Sequence, residues 1–389
     1  MNFITTKLGI LGGGQLGRMF IQASTSYGTP IHILDPNPNC PAANLCDSFT
    51  EGSFNDYESV LNFGKDKDIV TIEIENVNTD ALFELEKQGV KVFPQPRIIE
   101  LIKDKGIQKQ FYRDNNIPTA DFELCNSLEE VRSKATFPIV QKMRKGGYDG
   151  KGVQILKTEN DFDKAFEVPS LLEKMIDFDK EISVIVARNE NGEIRSYPTC
   201  EQEFNPEANL VEFLFSPAKI SKETEQQAQE IASAFIQKLD MVGLLAVEFF
   251  VLKDGSVIVN EMAPRTHNSG HHTIECNYTS QFEQHYRSVM NFPLGSTEIV
   301  QPGVMINLLG DKDHTGTPVY NGIEKVMSKE GVYVHLYGKT QTKPFRKMGH
   351  IGTVEQLKPR FFQGEIRGHG NQVGVAAAFS DTVDCALNL

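Results

Sequence analysis

Residues 146–152 read G-G-Y-D-G-K-G and follow the apolar, β-rich run Phe137 to Gln141 and then Lys142. Four glycines in seven positions, bracketing an acid and a lysine, describe a backbone that bends sharply and brings its N–H groups close to an anion. With β-like runs at 137–142 and 153–156 on either side, the segment predicts a hairpin whose turn cradles a nucleotide phosphate. A Walker P-loop is excluded, because that motif needs Ser or Thr after G-K and here Val153 follows Gly152. The bland alternative is a glycine-containing surface hairpin, and the rest of the chain has to decide between them.

At 389 residues with 40% hydrophobic content, the chain is too long for one ordinary core and predicts two or three packed units. Its cysteines (Cys40, Cys46, Cys125, Cys200, Cys276, Cys385) show no C-x-x-C spacing, and no basic segment leads into an apolar signal core. Reduced thiols and a cytoplasmic location are therefore expected. No stretch approaches the roughly 20 apolar residues of a membrane span. The net charge of −13 opposes binding to phosphodiester backbones, so neither membrane nor nucleic acid is an expected partner. A small phosphorylated substrate stays compatible, since a local basic pocket dominates the field at short range.

Lys7 to Leu11 is a β-like run entering G-G-G-Q-L-G at Gly12 to Gly17, and apolar positions at Leu16, Met19, Phe20 and Ala23 suit a helix through Ser24. Strand, glycine turn and helix resemble a dinucleotide fingerprint, with Ile31 to Leu34 as the next strand ending in Asp35. A nicotinamide oxidoreductase is thus one reading, although many doubly wound domains use this turn without NAD. Further strands are expected at 69–74, with Glu73, Glu75 and Asn76 near its ligand-facing end, and at 90–93 before Pro94 and Pro96. These runs bound a first domain at residues 1–97. One lysine-rich helix is expected over 98–115, then strands at 170–173 and 181–187, an amphipathic helix over 224–240, and a last hairpin of 244–252 with 257–261 turning on Asp254-Gly255. After Pro302, short β-like runs at 304–308, 331–336 and 349–355 suggest a small third domain.

The last hairpin brings Glu248 close to Asn260 and Glu261, an all-oxygen set that suits magnesium completed by water and phosphate. Two solvated strand carboxylates are the alternative, disfavoured because the flanking residues are nearly all apolar. The following loop, A-P-R-T-H-N-S-G-H-H, is dense in donors: Arg265 offers a rigid fork and His271 can donate or accept. His267 and His271 also raise zinc, but the gaps do not form a helical face and no base Glu follows His267. Lys142 and Lys151 flank the glycine turn, and Glu173, Lys174, Met175, Ile176 and Glu181 form an edge for adenine and ribose. Lys339, Arg346 and Lys347 cluster near Tyr337 and His350, either as a phosphate pocket or as a solvated basic turn.

In order, K-x-x-x-G-G-Y-D-G-K-G, E-K-M-I with Glu181, V-E-F-F, N-E-M-A-P-R-x-H-N-S-G-H and K-x-x-x-x-x-x-R-K-M-G-H run over nearly the whole chain. Together with G-G-G-Q-L-G-R-M they closely resemble the 5-(carboxyamino)imidazole ribonucleotide synthetase family of the ATP-grasp superfamily. The resemblance implies an ATP-grasp fold of mixed α/β and α+β class. It consists of a Rossmann-like pre-ATP-grasp domain (1–97), an ATP-grasp domain (98–300, lid about 120–188) and a small β-rich C-terminal domain (301–389). It implies ATP- and bicarbonate-dependent carboxylation of the amine of 5-aminoimidazole ribonucleotide through carboxyphosphate, with magnesium on Glu248 and Glu261, and a homodimer.

Carried over position by position, Lys105, Lys142, Gly147, Tyr148, Asp149, Gly150, Lys151, Gly152, Glu173, Lys174, Met175, Ile176, Glu181, Asn260 and Glu261 match ATP contacts. Tyr148, Asp149, Lys151, Arg265 and His271 match the region handling bicarbonate, carboxyphosphate and the imidazole, with Tyr148, Lys151, Arg265 and His271 as catalytic residues. Gln15, Glu75, Asp149, Lys339 and Arg346 match the ribonucleotide contacts, the last two on its 5′-phosphate. Three positions depart from the family pattern: Lys105 replaces a usual Arg, Val153 a usual Gln, and Phe204 stands near a usual His. Lysine lacks the bidentate fork, which predicts a weaker or differently posed nucleotide. Another ATP-grasp ligase, such as a formate-dependent glycinamide ribonucleotide transformylase, and a non-catalytic nucleotide sensor are the remaining alternatives.

Overall fold

The protein is described by a computed structural model covering residues 3–147, 152–354 and the backbone of 375–376. Its first sheet is built from β1 (Leu8–Leu11), β2 (Ile31–Asp35), β3 (Ser48–Glu51), β4 (Ile69–Ile72) and β5 (Lys91–Phe93). All pairings are parallel, in the order β3-β2-β1-β4-β5. Every residue of β1 and β4 is buried, as expected of parallel strands covered on both faces. One face carries Leu8, Ile10, Phe20 and Ile33, against which Phe282, Tyr286 and Met290 of a much later helix pack. The other carries Leu11, Val60, Leu82 and Leu85.

A four-stranded antiparallel sheet follows: β6 (Phe122–Cys125), β7 (Ile139–Met143), β8 (Val153–Leu156) and β9 (Ser170–Lys174), in the order β6-β9-β7-β8. The hairpin around the glycine-rich turn is β7 and β8, as the sequence predicts. The remaining strands are β10 (Phe178–Arg188), β11 (Ile194–Ser196), β12 (Cys200–Asn205), β13 (Leu210–Ser216), β14 (Gly243–Leu252), β15 (Val257–Ala263), β16 (Gly303–Gly310), β17 (Val332–Leu336), β18 (Lys347–Val354) and β19 (Val375–Ala376). They form a single ten-stranded sheet with the path β15-β14-β10-β12-β13-β16-β18-β17. Helix Lys222–Lys238, capped by Ser221, lays Ala232, Phe235 and Ile236 on Ile182, Val184, Val247 and Phe249. Fully burying each large side chain there contributes roughly 1.5–3 kcal/mol.

One expectation is corrected. The helix predicted over 98–115 is two helices, Pro96–Lys103 and Lys105–Asp114, separated by an extended Asp104. Asp104 Oδ1 accepts from the amides of Gly106 (2.9 Å) and Ile107 (3.3 Å) as an N-cap, while Arg144 grips both of its oxygens at 2.9 and 2.8 Å. The cap and the distant arginine outweigh a continuous apolar stripe. The strands after Pro302 extend the large sheet: β16 pairs with β13 through Phe213↔Ile306 and Phe215↔Val304. The five cysteines among the described residues are free thiols. Among the described residues no helix is long and apolar enough to cross a membrane.

Candidate active site

The hairpin β14–β15 places Glu248 directly opposite Glu261, but Phe249 pairs with Val259. Asn260 is therefore the extra residue of a bulge, which re-aims its side chain so that Asn260 and Glu261 both reach toward the cleft. Asn260 Oδ1 accepts from Lys142 at 2.9 Å, and Glu261 forms an ion pair with Lys105. The two carboxylates are pushed apart electrostatically. Burial and the facing Glu261 raise the Glu248 carboxyl to about 7, whereas Lys105 holds Glu261 at about 2 against its own burial. Glu181, on β10, is raised to about 8 by burial and by Glu248.

On the basic side, Lys142 of β7 lies 2.5 Å from Glu173 Oε2, and Lys109 pairs with Oε1 of the same carboxylate. Burial alone would raise the Glu173 carboxyl, but Lys142 and Lys109 outweigh it and hold it below its usual value. Lys109 escaped the sequence reading because it lies in a lysine-rich helix; its one signal is the four-residue spacing from Lys105, which puts both on one face. Beyond Glu173, Lys174 and Met175 are exposed and Ile176 is half-buried.

The histidine loop is pinned from three sides. Asn268 and Asn307 of β16 exchange amide hydrogen bonds at 2.9 and 2.8 Å, and the hydroxyls of Ser269 and Ser183 are 2.8 Å apart. Gln281 Oε1 accepts from the His267 amide at 2.9 Å, which orients its NH2 to donate to His267 O (2.7 Å) and to His271 Nδ1 (3.1 Å). His271 thus carries its proton on Nε2, and burial, with Lys347 and neighbouring histidines, keeps it neutral by holding its pKa well below the usual value. Its ring lies 4.8 Å from that of His350. Arg265 donates to Thr266 O at 2.9 Å and pairs with Glu75 at 2.9 Å; its Nε is buried with no hydrogen-bond partner among the described residues.

The turn at Gly12 to Gly17 is filled from within. The Gly13 amide donates to Asp35 Oδ2 at 2.8 Å, and the Gly17 amide to Glu73 Oε2 at 2.9 Å. A Cβ on Gly14 would lie 2.0 Å from Glu73 Oε1. The amides that would cradle a dinucleotide pyrophosphate already hold the chain's own carboxylates, which removes the basis of the nicotinamide reading. Burial first, and Asp35 second, push Glu73 up to about 7; the turn amides and Lys339 oppose them. Lys339 is thereby placed near this turn, with Gln15 opening the helix that follows it. Lys339 also donates to Lys347 O at 2.7 Å, while Arg346 donates to Gln341 O at 2.8 Å on the surface.

Lys105, Lys142, Glu173, Glu181, Glu248, Asn260 and Glu261 are thus brought together, and Glu75 meets Arg265. Gly152 closes the turn with φ +83°, and its carbonyl accepts from Met143 at 2.8 Å; a Cβ there would lie 3.0 Å from Gly147 Cα. Tyr148, Asp149, Gly150 and Lys151 lie outside the described residues. Two facing carboxylates, one of them raised to about 7 by burial and by the other's charge, fit magnesium, with Glu248 and Glu261 as the residues that would hold it. Among the described residues no cluster of three or more His, Cys, Asp and Glu side chains could ligate a metal unaided. His271 Nδ1 is taken by Gln281 and His267 Nε2 lies 3.9 Å from Glu248, an arrangement that does not suit zinc.

The chain matches the family description of the ribonucleotide synthetase preATP-grasp domain at residues 5–103, the ATP-grasp domain at 110–282, and the phosphoribosylaminoimidazole carboxylase C-terminal domain at 303–359. It is 39% identical over 368 residues to phosphoribosylaminoimidazole carboxylase of Ogataea methanolica, spanning 90% of this chain and 66% of that longer relative. It is 35% identical over 364 residues to N5-carboxyaminoimidazole ribonucleotide synthase of Bacillus subtilis, spanning 92% of this chain and 93% of that one. The solved structure of the Aspergillus clavatus N5-carboxyaminoimidazole synthase in complex with ADP and 5-aminoimidazole ribonucleotide matches with a TM-score of 0.81 at 30% identity, covering 99% of this chain and 98% of that one. By its three matched domains and its full-length likeness to the Bacillus protein, the chain belongs to the N5-carboxyaminoimidazole ribonucleotide synthase family.

Proposed function

We propose that this protein carboxylates the exocyclic amine of 5-aminoimidazole ribonucleotide with ATP and bicarbonate, as an ATP-dependent C–N ligase of purine biosynthesis. The observation that carries the reading is the convergence of the acidic hairpin Glu248/Glu261 with Lys105 and Lys142 on one side and the Arg265–Glu75 pair on the other. A bicarbonate oxygen attacks the γ-phosphorus of ATP, breaking its bond to ADP and forming carboxyphosphate. The amine nitrogen then bonds to the carboxyl carbon, directly or after release of carbon dioxide, as phosphate leaves and the nitrogen gives up a proton. Magnesium, when bound, neutralises phosphoryl charge.

In this reading Lys105, Lys142, Asn260, Glu181 and the segment Glu173 to Ile176 hold ATP, together with the turn from Gly147 to Gly152. Arg265 presents its fork to bicarbonate or carboxyphosphate, and neutral His271 backs it with a fixed tautomer. Gln15, Glu75, Asp149, Lys339 and Arg346 hold the ribonucleotide, and Tyr148, Asp149 and Lys151 take part in handling bicarbonate and carboxyphosphate. Domain limits at 97/98 and 300/301, a homodimer and a cytoplasmic site of action complete the proposal.

The test is ADP release by the purified protein with ATP, magnesium and bicarbonate, with and without the ribonucleotide. Strong stimulation by 5-aminoimidazole ribonucleotide is expected. Equal rates, or stimulation only by glycinamide ribonucleotide with formate, would retain the fold and reject the acceptor.

A further inference from the structure

We infer that Lys109 is a positioning residue of the nucleotide site: it holds one oxygen of Glu173 so that the other steers Lys142 into the cleft. The inference rests on the ATP-dependent reading of that cleft. Lys109 and Glu173 have side chains only 3% and 5% exposed, so this ion pair is shielded from solvent and from salt. The two lysines divide the carboxylate, Lys109 on Oε1 and Lys142 on Oε2. Neither competes for the other's oxygen.

The position of Lys109 is itself fixed by the large sheet. Its ammonium donates to Thr119 Oγ1, and that hydroxyl donates to Val259 O at 2.7 Å. Val259 immediately precedes Asn260, whose Oδ1 receives Lys142 at 2.9 Å. Five side chains and one carbonyl thus close a ring, from Val259 through Thr119, Lys109, Glu173 and Lys142 back to Asn260. The ring joins β9 and β7 of the four-stranded sheet to β15 of the large sheet, across the place where ATP is proposed to lie.

Charge decides what the ring is for. Two ammoniums and one carboxylate leave a net positive charge, and Lys142 is the lysine that also reaches the bulged Asn260. Without Lys109, Glu173 would take Lys142 with both oxygens, cancelling its charge and drawing it back toward β9. Holding three charges in a dry interior is costly compared with packing apolar side chains of similar volume. A purely architectural joint would not require them.

The groups facing Glu173 are Lys105, Lys109 and Tyr112 of the helix Lys105–Asp114 and Lys142 of β7, with Glu261 of β15 beyond them. With Lys109 removed, one of the two cations holding the Glu173 carboxyl below its usual value is gone, so that carboxyl titrates at higher pH. In the wild type Glu173 stays charged and divided between the two lysines, whereas in the variant protonation of Glu173 releases Lys142, so the variant's loss of nucleotide affinity is largest at high pH and narrows as the pH falls.

The experiment compares full-length wild type with Lys109→Met, Lys109→Arg and Thr119→Val. It measures the KM for ATP and kcat in ADP release, and calorimetric binding of ADP between about pH 6 and about pH 8. Lys109→Met is expected to raise the ATP KM and the ADP dissociation constant about tenfold or more, with kcat changed far less, and with a binding deficit that is largest at the alkaline end. Lys109→Arg should recover most of the affinity and flatten the pH dependence. Thr119→Val, which keeps every charge, should weaken ADP binding in the same direction by a smaller factor.

Unchanged ADP affinity in folded Lys109→Met overturns the inference, as does an Arg variant no better than Met. Should Lys109→Met not fold, unchanged ADP affinity in Thr119→Val overturns it. ADP binding needs no acceptor, so rejection of the ribonucleotide in the ADP-release assay would leave these outcomes readable.

Discussion

The guanidinium of Arg265 lies 2.9 Å from the carboxylate of Glu75, joining the end of the first sheet to the loop that follows the acidic hairpin. Each side chain is about one-fifth exposed, so the pair is shielded enough to be strong yet open enough to exchange partners. In the proposed reaction each has a substrate to meet. Glu75→Gln keeps the shape and removes the charge. It should raise the KM for the ribonucleotide about tenfold, the worth of one charge-assisted hydrogen bond, and leave that for ATP nearly unchanged. Steady-state kinetics with each substrate varied separately checks this; a shift confined to the ATP KM would contradict the assignment of Glu75.

Three carboxyls, Glu73 and Glu248 at about 7 and Glu181 at about 8, are raised by burial and by neighbouring acids. A raised carboxyl contributes stability that is fully present below its unfolded value near 4.5 and is lost as the pH rises through its folded value. The metal-free protein should therefore melt at a lower temperature at about pH 8.5 than at about pH 6, with each group weakening it by on the order of 1 kcal/mol. Glu261, held at about 2, has the opposite sign: its contribution is present above its unfolded value and is lost only in strong acid. Thermal melts across this range, without divalent ions, give the measurement, and a flat or rising profile would refute the prediction.

Magnesium should offset that loss. Because Glu248 must give up its proton to bind a cation, apparent magnesium affinity should increase as the pH passes through about 7. Glu248→Gln should weaken magnesium binding on the order of 10- to 100-fold and remove its pH dependence. Titration calorimetry of the nucleotide-loaded protein at two pH values distinguishes this from an unrelated loss of activity.

Gly270 has no room for a side chain. A Cβ there would sit 2.2 Å from Ile185 Cδ1 and 2.5 Å from Gln281 Oε1, the atom that orients Gln281 toward His271. Gly270→Ala should cost about 1–3 kcal/mol of stability and impair catalysis more than nucleotide binding. Chemical denaturation alongside ADP titration separates the two effects. A variant with wild-type stability and turnover would show that the loop tolerates movement.

What the sequence made legible was local. Alternation and glycine placed β1, β2, β7, β8, β14 and β15, and the apolar flanks of Glu248 and Glu261 signalled that their carboxylates were not ordinary surface charges. What escaped was decided by partners far away in the chain. Asp104 splits a continuous stripe because Arg144 meets it, and Lys109 is buried because Glu173 waits 64 positions later. The bulge at Asn260 leaves no trace in composition, since it depends on which residue of β14 each residue of β15 opposes. In the same way, G-G-G-Q-L-G reads as a ligand loop until Asp35 and Glu73 are found inside it.

The large sheet has a mechanical consequence. From β15 to β17 the path is an unbroken series of backbone ladders, so the acidic hairpin and the strands carrying Lys347 and His350 cannot shift against each other without rupturing them. It is an anvil. Among the described residues the four-stranded sheet shares no ladder with it; one backbone bond, Val259 N to Pro118 O at 2.8 Å, ties the chain leading into β6 to β15. At the cleft the two sheets meet through Lys142 and Asn260, beside the helix lysines that pair with Glu173 and Glu261. Ion pairs can trade one anion for another without breaking a backbone hydrogen bond, so the compliance of the molecule is concentrated where ATP's phosphates are proposed to enter.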